Sequence, residues 1–188
     1  FLFWKLALEN HGEQPVQIDR IDVLRLDPAA GGAIFTRPPL NPAFFSNGWQ
    51  SWSYCGVYGA ADQFRRTRLG PLRTPTTVNQ GTPQPSRRGH FSSDMFAVLG
   101  DRILRAGILA GFLSQMQHFG SLETRIDTSS PSLRMWANGD GAQLDAGASM
   151  QTDWACLQII HIDQPDPLGA YIDRVAREHG LGDLPPAN

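Results

Sequence analysis

The chain has 188 residues, a net charge of -2 and a hydrophobic content of 41%, which is enough apolar material for one packed domain without disulfide or metal support. Its 19 glycines and 14 prolines indicate many turns, as in an all-β protein, and lie below the range of disordered or collagen-like chains. The weakly acidic balance gives no electrostatic case for nucleic acid or an anionic membrane as a partner, and no apolar run is long enough to span a membrane.

The first part of the chain predicts strands separated by turns. Residues 1–8 place Leu2, Trp4 and two further leucines on one face, and because the chain starts inside this pattern without a methionine, we expect it to be part of a longer chain. Residues 16–26 predict a second strand, bulged or divided near Arg20, where the alternation breaks. A loop follows, and three prolines then favour an extended segment outside a central ladder.

Later segments predict further strands. Residues 95–99 and 155–162 are short apolar runs typical of buried strands. Residues 108–119 predict a pair of short strands around a glycine. Alternation over residues 133–137, followed by Asn-Gly-Asp-Gly at 138–141, predicts a β-hairpin.

The end of the chain changes to a helical period. Asp166 is a suitable N-cap and Pro167 a suitable first helical residue, and apolar residues recur behind them at i, i+3, i+4 and i+7. Gly180 is a suitable stop signal. Many short strands before one helix predict an all-β fold, with a β-sandwich over residues 1–165 and an exit helix and linker over 166–188.

Motifs for metal, phosphate or nucleophilic chemistry are missing from the sequence. Cys55 and Cys156 are not part of a CxxC motif, and we expect two part-buried free thiols unless they pair with each other. The five histidines lack metal-ligand spacing, and neither a GxSxG nor a glycine-rich phosphate loop occurs. We therefore predict neither a metal nor a cofactor. The 18 acidic residues cannot be paired in space from the sequence, and most lie in turns.

The densest aromatic stretch, residues 44–58, carries the strongest functional signal. Flat tryptophan and tyrosine faces can stack on the apolar C–H faces of sugar rings, while their N–H and O–H groups bond hydroxyls. The pair Asn47 and Gly48 permits a tight turn that presents Trp49 outward. The alternative interpretation is that Phe44, Phe45 and one of the two tryptophans fill the core of the sandwich, as aromatic residues usually do.

Basic residues are concentrated in one segment. Residues 63–93 contain six arginines and no acidic residue. This segment is either a solvated loop or a docking site for a phosphate group or an acidic partner. A nucleic-acid role would need support from a net basic charge, which the chain lacks.

Residues 45–53, FSNGWQSWS, resemble a signature in the N-terminal domain of family 36 glycoside hydrolases, the α-galactosidase (melibiase) group. Residues 92–96 and the pattern from 110 to 120 are similar to later strands of that domain. Residues 167–171 resemble the helix that leads into its catalytic barrel. The resemblance implies a large, supersandwich-like β-sandwich that precedes a (β/α)8 barrel absent from this chain.

The resemblance assigns no catalytic role within this chain. In that family both catalytic aspartates lie on the barrel, and the nucleophile follows a lysine by two positions. The single lysine here, Lys5, is followed by Leu6 and Ala7, so the motif is missing. Retaining hydrolysis by two carboxylates is implied for the parent protein only. Two acidic side chains facing each other across a pocket beside the tryptophans would contradict this interpretation.

The resemblance also implies that the aromatic loop reaches the galactose site of the barrel, within one chain or across an oligomer interface. Trp49 is then the first candidate for lining the sugar site, followed by Asn47 and Trp52 and then by Tyr54. The implied partners are an α-galactoside sugar, the barrel domain of the same chain and a possible second copy. An autonomous carbohydrate-binding module and a structural oligomerisation domain are the alternatives. No secretory segment is visible, which favours the cytoplasm.

Overall fold

The computed structural model describes residues 1–66, 78–127 and 129–181, and strands dominate this part of the chain. Arg68 and Arg73 of the arginine-rich segment, and residues 182–188 of the predicted linker, lie outside the described residues. Helix α1 spans Gly169–Glu178. The strands are β1 (Leu2–Trp4), β2 (Ala7–Glu9), β3 (Val16–Leu26), β4 (Pro42–Ser46), β5 (Gly56–Gly59), β6 (His90–Asp94), β7 (Phe96–Asp101), β8 (Ala106–Phe112), β9 (Gly120–Arg125), β10 (Ser132–Leu144), β11 (Ser149–Gln151) and β12 (Ala155–His161).

Two antiparallel sheets form the layers of the fold. The larger sheet has the strand order β1-β12-β8-β7-β4-β5, and the smaller has the order β3-β10-β9-β6. Strands β2 and β11 form a separate two-stranded sheet. The predicted all-β sandwich followed by a helix is therefore confirmed.

The main core lies between the two sheets because alternate side chains of each strand point inward. Phe44 and Phe112 from the larger sheet and Phe91 and Leu122 from the smaller are at most 2% exposed. The Phe91 ring stacks on that of Tyr58, with centroids 4.4 Å apart. Phe44 thus fills the core, as the alternative interpretation of the aromatic stretch expected, and Tyr58 does so as well. The same expectation is wrong for Phe45, which packs outside this core, and for the two tryptophans, neither of which is buried in it.

A second apolar cluster lies between the outer face of the larger sheet and α1. Tyr171 is fully buried there, and its hydroxyl donates a 2.6 Å hydrogen bond to the carbonyl oxygen of Phe112. Leu168 and Val175 pack in the same cluster, whereas Ile172 is half exposed. Three of the four positions of the predicted apolar stripe therefore face the sheet.

The helix begins later than predicted. Its N-cap is Leu168, without a side-chain cap, so Asp166 and Pro167 lie in the preceding loop. The Leu168 side chain is held in the apolar cluster, and its carbonyl accepts the first helical hydrogen bonds, from the Tyr171 and Ile172 amides. The stop signal is confirmed, because Gly180 follows the C-cap with φ of +68°.

The Asn-Gly-Asp-Gly stretch is a bulge within one strand, and the predicted hairpin is wrong. Strand β10 pairs with β3 on both sides of it, Asn138 opposite Arg20 and Ala142 opposite Ile18. Residues 139–141 of β10 therefore lie opposite the single residue Asp19 of β3, which makes two residues extra on the β10 side, and we call residues 139–141 the β10 bulge. Of the two forms predicted for residues 16–26, a bulged strand is what β3 is, but its own extra residue is Val23, between the paired residues Asp22 and Leu24. Beside Arg20 the extra residues belong to β10.

Two other strand predictions need correction. Residues 1–8 form two short strands, β1 and β2, which pair with different partners, and Leu2 is 61% exposed. Residues 108–119 hold the end of one strand, β8, and then a loop in which residues 114–118 are fastened to Asp153. The loop forms because this carboxylate takes up backbone N–H groups that a second strand would have paired.

Both cysteines are free thiols, as expected. Cys156 is fully buried in the cluster beneath α1, and burial raises the pKa of its thiol to about 12. Cys55 is exposed, and the expectation that it is part-buried is wrong, because it lies in the loop before β5 and not on an inward-facing strand position.

Candidate functional site

The aromatic loop after β4 is fastened to β6 by hydrogen bonds. The backbone N–H of Asn47 donates to Ser93 Oγ at 2.8 Å, and its side-chain amide donates to the carbonyl oxygen of Asp94 at 2.9 Å. Its own carbonyl accepts from the Asp94 N–H at 3.1 Å. Ser46 Oγ donates to the Ser92 carbonyl at 2.7 Å. Asn47 therefore joins the two sheets at the base of the loop, and its side-chain nitrogen is used within the protein.

Beyond Asn47 the loop is a tight turn and not a regular strand. The N–H of Ser53 donates to the carbonyl of Gln50 at 2.9 Å. A side chain at Gly48 would approach Ser53 to 2.6 Å, so the turn needs a glycine there. Trp49 and Trp52 therefore do not follow the two-residue alternation of a strand. Trp49 turns toward the sandwich, whereas Trp52 is 53% exposed.

Trp49 lines an open cleft of about 510 Å³, which we call the Trp49 cleft. Its indole packs edge-to-face on Phe119, with ring centroids 4.7 Å apart and an angle of 87°, and remains half-buried. The other lining residues include side chains that donate or accept hydrogen bonds: Asp19, Asn79, Gln80 and Asp140. An aromatic pair beside carboxylate and amide groups can bind a ligand with one apolar face and several hydroxyls.

Two carboxylates line this cleft, and their placement bears on catalysis. Asp19 lies on β3 and Asp140 on the β10 bulge that is paired with it, so the two acids come from one side of the cleft and not from opposite sides. Both side chains are exposed. A carboxyl group that acts as a general acid is typically held in an apolar surrounding. The arrangement therefore suits hydrogen bonding to a ligand better than bond cleavage.

A small cavity of about 20 Å³, enough for about one water, brings together three of the four predicted site residues, Asn47, Trp49 and Tyr54. The Tyr54 ring is held from the other directions, because it packs against Tyr58 at 5.0 Å and the Arg65 guanidinium lies 4.7 Å above it. Trp52 lines neither this cavity nor the Trp49 cleft.

A chain of buried polar groups ends on the carboxylate of Asp94. Thr82 Oγ1 and Asn79 Nδ2 donate to Asp94 Oδ1 at 2.6 and 3.1 Å. Because Thr82 uses its proton in this way, Ser121 Oγ donates to Thr82 Oγ1 at 2.6 Å, and Asn138 Nδ2 donates to Ser121 at 2.8 Å. The donors all point toward Asp94, which itself lines the small cavity.

Burial raises the pKa of Asp94 to about 6, against the lowering effect of its bonds from Thr82 and Asn79. Since the folded protein then holds a proton more tightly than the unfolded chain does, this group lowers the free energy of unfolding as the pH rises between about 4 and 7. The effect amounts to at most about 3 kcal/mol.

Asp94→Asn should therefore be as stable as the wild type near pH 4 and more stable at pH 7.5. Asparagine keeps the oxygen that accepts from Thr82 and Asn79, but carries no charge. Urea denaturation at several pH values measures the difference in the free energy of unfolding between the two proteins. The other carboxylates are the same in both, so their contributions cancel in this difference. If the free energy of unfolding changed with pH in the same way in both proteins, the raised pKa of Asp94 would be contradicted.

Apart from Trp49, the residues that line the Trp49 cleft were not identified as site residues from the sequence. The missed side chains come from four segments far apart in the chain: Asp19, Asn79, Gln80, Phe119 and Asp140. The break in alternation near Arg20 and the Asn-Gly-Asp-Gly stretch were signals of irregular pairing, but they were interpreted as backbone features only. Phe119 lies within a stretch already noted for its resemblance to family 36.

The described arginines of the basic segment have separate partners. Arg65 lies over Tyr54, and the guanidinium of Arg66 donates to the carbonyl of Gln84 at 3.0 Å. Arg87 and Arg88 are exposed. A docking role for this segment remains a prediction.

Comparison with known proteins leaves the cleft to be interpreted from its own geometry, because no family model matches the chain and no curated protein matches it either. In residues 1–66, 78–127 and 129–181, no group of three or more histidine, cysteine, aspartate or glutamate side chains is placed to hold a metal ion. The described helix is neither long enough nor apolar enough to cross a membrane.

Proposed function

We propose that this chain is the non-catalytic β-sandwich domain of an α-galactosidase-like glycoside hydrolase, in which the Trp49 loop forms one wall of the galactoside site. Bond cleavage then belongs to carboxylates of a barrel domain outside these residues. The observation that supports the proposal is the position of Trp49, whose half-exposed indole faces an open cleft and is fixed from the side by Phe119.

The cleft chemistry suits a galactoside. A galactose ring offers an apolar patch of C–H groups to an aromatic face and a set of hydroxyls at its edge. The carboxylates of Asp19 and Asp140 can accept from these hydroxyls, and the exposed amide of Gln80 can both donate and accept. Few polar groups beside an apolar surface are typical of small-molecule sites.

Contact with further protein is supported by the surface around β1 and α1. An apolar hollow of about 370 Å³ lies there, lined in part by Phe3, Leu113 and Trp154. Ile172 on the helix and Ile159 on β12 are 50% and 75% exposed. Exposed apolar surface of this kind favours packing against a barrel domain or a neighbouring subunit.

Trp49→Ala tests the proposal. In a protein that carries the barrel, galactoside turnover should fall by about tenfold or more because the stacking contact is lost, while assembly and thermal stability survive. Leu40→Ala is the matched control, because Leu40 is an exposed apolar residue that lines neither the Trp49 cleft nor the apolar hollow around β1 and α1. Measurable galactoside binding by the 188-residue chain alone would favour an autonomous module, and lost assembly with unchanged turnover would favour a structural domain.

A second candidate function is hydrolysis by the chain itself, and the observation that favours it is the pair of carboxylates in the Trp49 cleft. If Asp19 and Asp140 are catalytic, the isolated chain should release nitrophenol from a nitrophenyl α-galactoside, and Asp19→Asn or Asp140→Asn should abolish the release. Activity of this kind would overturn the non-catalytic proposal. The non-catalytic proposal would be supported if the isolated chain were inactive and Trp49→Ala still lowered turnover in a protein that carries the barrel.

A further inference from the structure

A cavity that the proposed function does not use lies on the smaller sheet. It has a volume of about 250 Å³ and lies at the end of the sheet where β3 and β9 finish and β6 and β10 begin. Leu122 and Leu133 point into the core, so Glu123 and Arg134 beside them point away from it and line the cavity. Six lining residues carry ionisable side chains: Arg25, Asp27, His90, Glu123, Arg125 and Arg134.

The strand register brings like charges together at this cavity. Arg134 of β10 lies directly opposite Arg25 of β3, and His90 of β6 lies directly opposite Arg125 of β9. Opposite side chains of an antiparallel pair have Cβ atoms about 5 Å apart, and like charges in such positions destabilise a sheet. The lining holds three guanidinium groups against two carboxylates, so its net charge is positive. A negative ligand would offset the repulsion between Arg25 and Arg134.

Arg134 is held by two carboxylates and keeps one unused donor. Its terminal nitrogens Nη1 and Nη2 donate to Glu123 Oε1 at 2.9 Å and to Asp22 Oδ2 at 3.1 Å. Its Nε is buried and has no hydrogen-bond acceptor in residues 1–66, 78–127 and 129–181. A guanidinium group always carries this proton, and a buried N–H without an acceptor is costly. Arg134 therefore has one N–H available for a ligand in the cavity that it lines.

The remaining basic groups at the cavity have looser contacts. The guanidinium of Arg25 lies 3.2 Å from the Asp27 carboxylate, and Arg125 Nε lies 4.0 Å from that of Asp127. Both arginine side chains are about half exposed, so they can turn toward a ligand. His90 Nε2 lies 3.5 Å from Asp127 without forming a hydrogen bond. Among the described residues only three buried side-chain atoms lack a hydrogen-bond partner, and two of them belong to residues of this one cavity.

The cavity favours an oxoanion that carries a hydroxyl group. Its volume is below the about 300 to 1,000 Å³ of typical small-molecule sites, which suits an ion better than a sugar. Guanidinium groups donate to the oxygens of oxoanions in charge-assisted hydrogen bonds. The two lining carboxylates, Asp27 and Glu123, need a ligand that can donate to them. Hydrogen phosphate has such a P–OH group, whereas sulfate at neutral pH has none and would face these carboxylates without a proton between them.

We propose that this cavity binds inorganic phosphate through the Nε–H of Arg134 and the guanidinium groups of Arg25 and Arg125. The phosphate hydroxyl donates to a lining carboxylate, and the His90 ring donates to phosphate when its Nε2 carries the proton. We call this site the phosphate cavity. None of its residues lines the Trp49 cleft, so the inference stands or fails independently of the proposed function.

Nuclear magnetic resonance titration of the ¹⁵N-labelled protein with inorganic phosphate tests the proposal. Sodium chloride keeps the ionic strength constant, so that screening of surface charges does not change during the titration. We expect the Nε–H signal of Arg134 to shift and to saturate with a Kd of about 1 mM. Sulfate should bind about tenfold more weakly, because it lacks the hydroxyl proton. Glucose 6-phosphate, which is too large for the cavity, should bind more weakly than phosphate.

Variants separate the cavity from the charge of the whole protein. Arg25→Gln and Arg125→Gln should each weaken phosphate binding by about fivefold or more, and their partly exposed side chains make loss of the fold unexpected. Arg102→Gln is the matched control, because it removes the same charge from an exposed arginine that does not line the cavity. Glu123→Gln should bring the affinity for sulfate close to that for phosphate, an effect that a merely structural role of Glu123 would not produce.

Three results would overturn the proposal. The first is an Arg134 Nε–H signal that does not respond to phosphate at concentrations about tenfold above the expected Kd. The second is equal weakening of phosphate binding by Arg102→Gln and by the two cavity variants, which would mean that phosphate responds to net charge and not to this site. The third is tighter binding of glucose 6-phosphate than of phosphate, which would assign the site to a phosphate ester and not to the free ion.

Discussion

Replacement of Asp153 by alanine should lower the free energy of unfolding by at least about 3 kcal/mol. The carboxylate is 5% exposed and accepts one side-chain and three backbone hydrogen bonds from residues 114–118. Alanine leaves these donors without an acceptor in a poorly hydrated place, which costs more than the bonds themselves contribute. The same loop continues to Phe119, which supports Trp49, so the Trp49 cleft should be disturbed as well.

Denaturation in urea measures the loss of stability. The nuclear magnetic resonance signal of the Trp49 indole N–H, in the ¹⁵N-labelled protein, measures the disturbance of the cleft. Asp173→Ala is the control, because Asp173 is an exposed carboxylate on α1 and its loss should change stability by no more than about 0.5 kcal/mol. Asp153→Asn should fall between the two, since its amide nitrogen faces N–H groups that need an acceptor. Wild-type stability in Asp153→Ala would show that the loop is held by other contacts.

Gly139→Ala should destabilise the protein by about 3 kcal/mol and disturb the Trp49 cleft. A methyl group at this position would overlap the backbone carbonyl of Ile18 on the paired strand. Backbone atoms cannot turn aside as a flexible side chain can, so β3 and β10 would have to separate at the bulge. Asp140, which the bulge presents to the Trp49 cleft, would be displaced with them.

Gly141→Ala separates steric overlap from backbone conformation. Gly141 has φ of +73° but open space around the added methyl group, so its replacement should cost about 1 kcal/mol through conformation alone. Thermal unfolding of both variants measures the loss of stability, and the nuclear magnetic resonance signal of the Trp49 indole N–H measures the disturbance of the cleft. Equal destabilisation by the two replacements would mean that the close approach of Gly139 to β3 does not hold the bulge in place.

Several elements could be predicted from the sequence because their signals are local. The apolar run at residues 155–162 predicted the strand β12, and the apolar stripe predicted α1 and its contact with the sheet. Gly180 marked the end of the helix for the same local reason, its left-handed conformation. Side-chain periodicity and turn chemistry act over a few residues, so they can be evaluated without knowing what lies across the sheet.

Tertiary structure decided what these local patterns mean. Asn-Gly-Asp-Gly is compatible with a hairpin or a bulge, and only the pairing of β10 with β3 on both sides of it selects the bulge. The same holds for the aromatic stretch, where Phe44 faces the other sheet and is buried, while Trp49 meets Phe119 at an open cleft. Asp19 and Asp140 become neighbours through a register that spans more than 100 residues of chain. Such contacts depend on which strands pair and in which register, and that choice is made by the free energy of the whole core and not by any short segment.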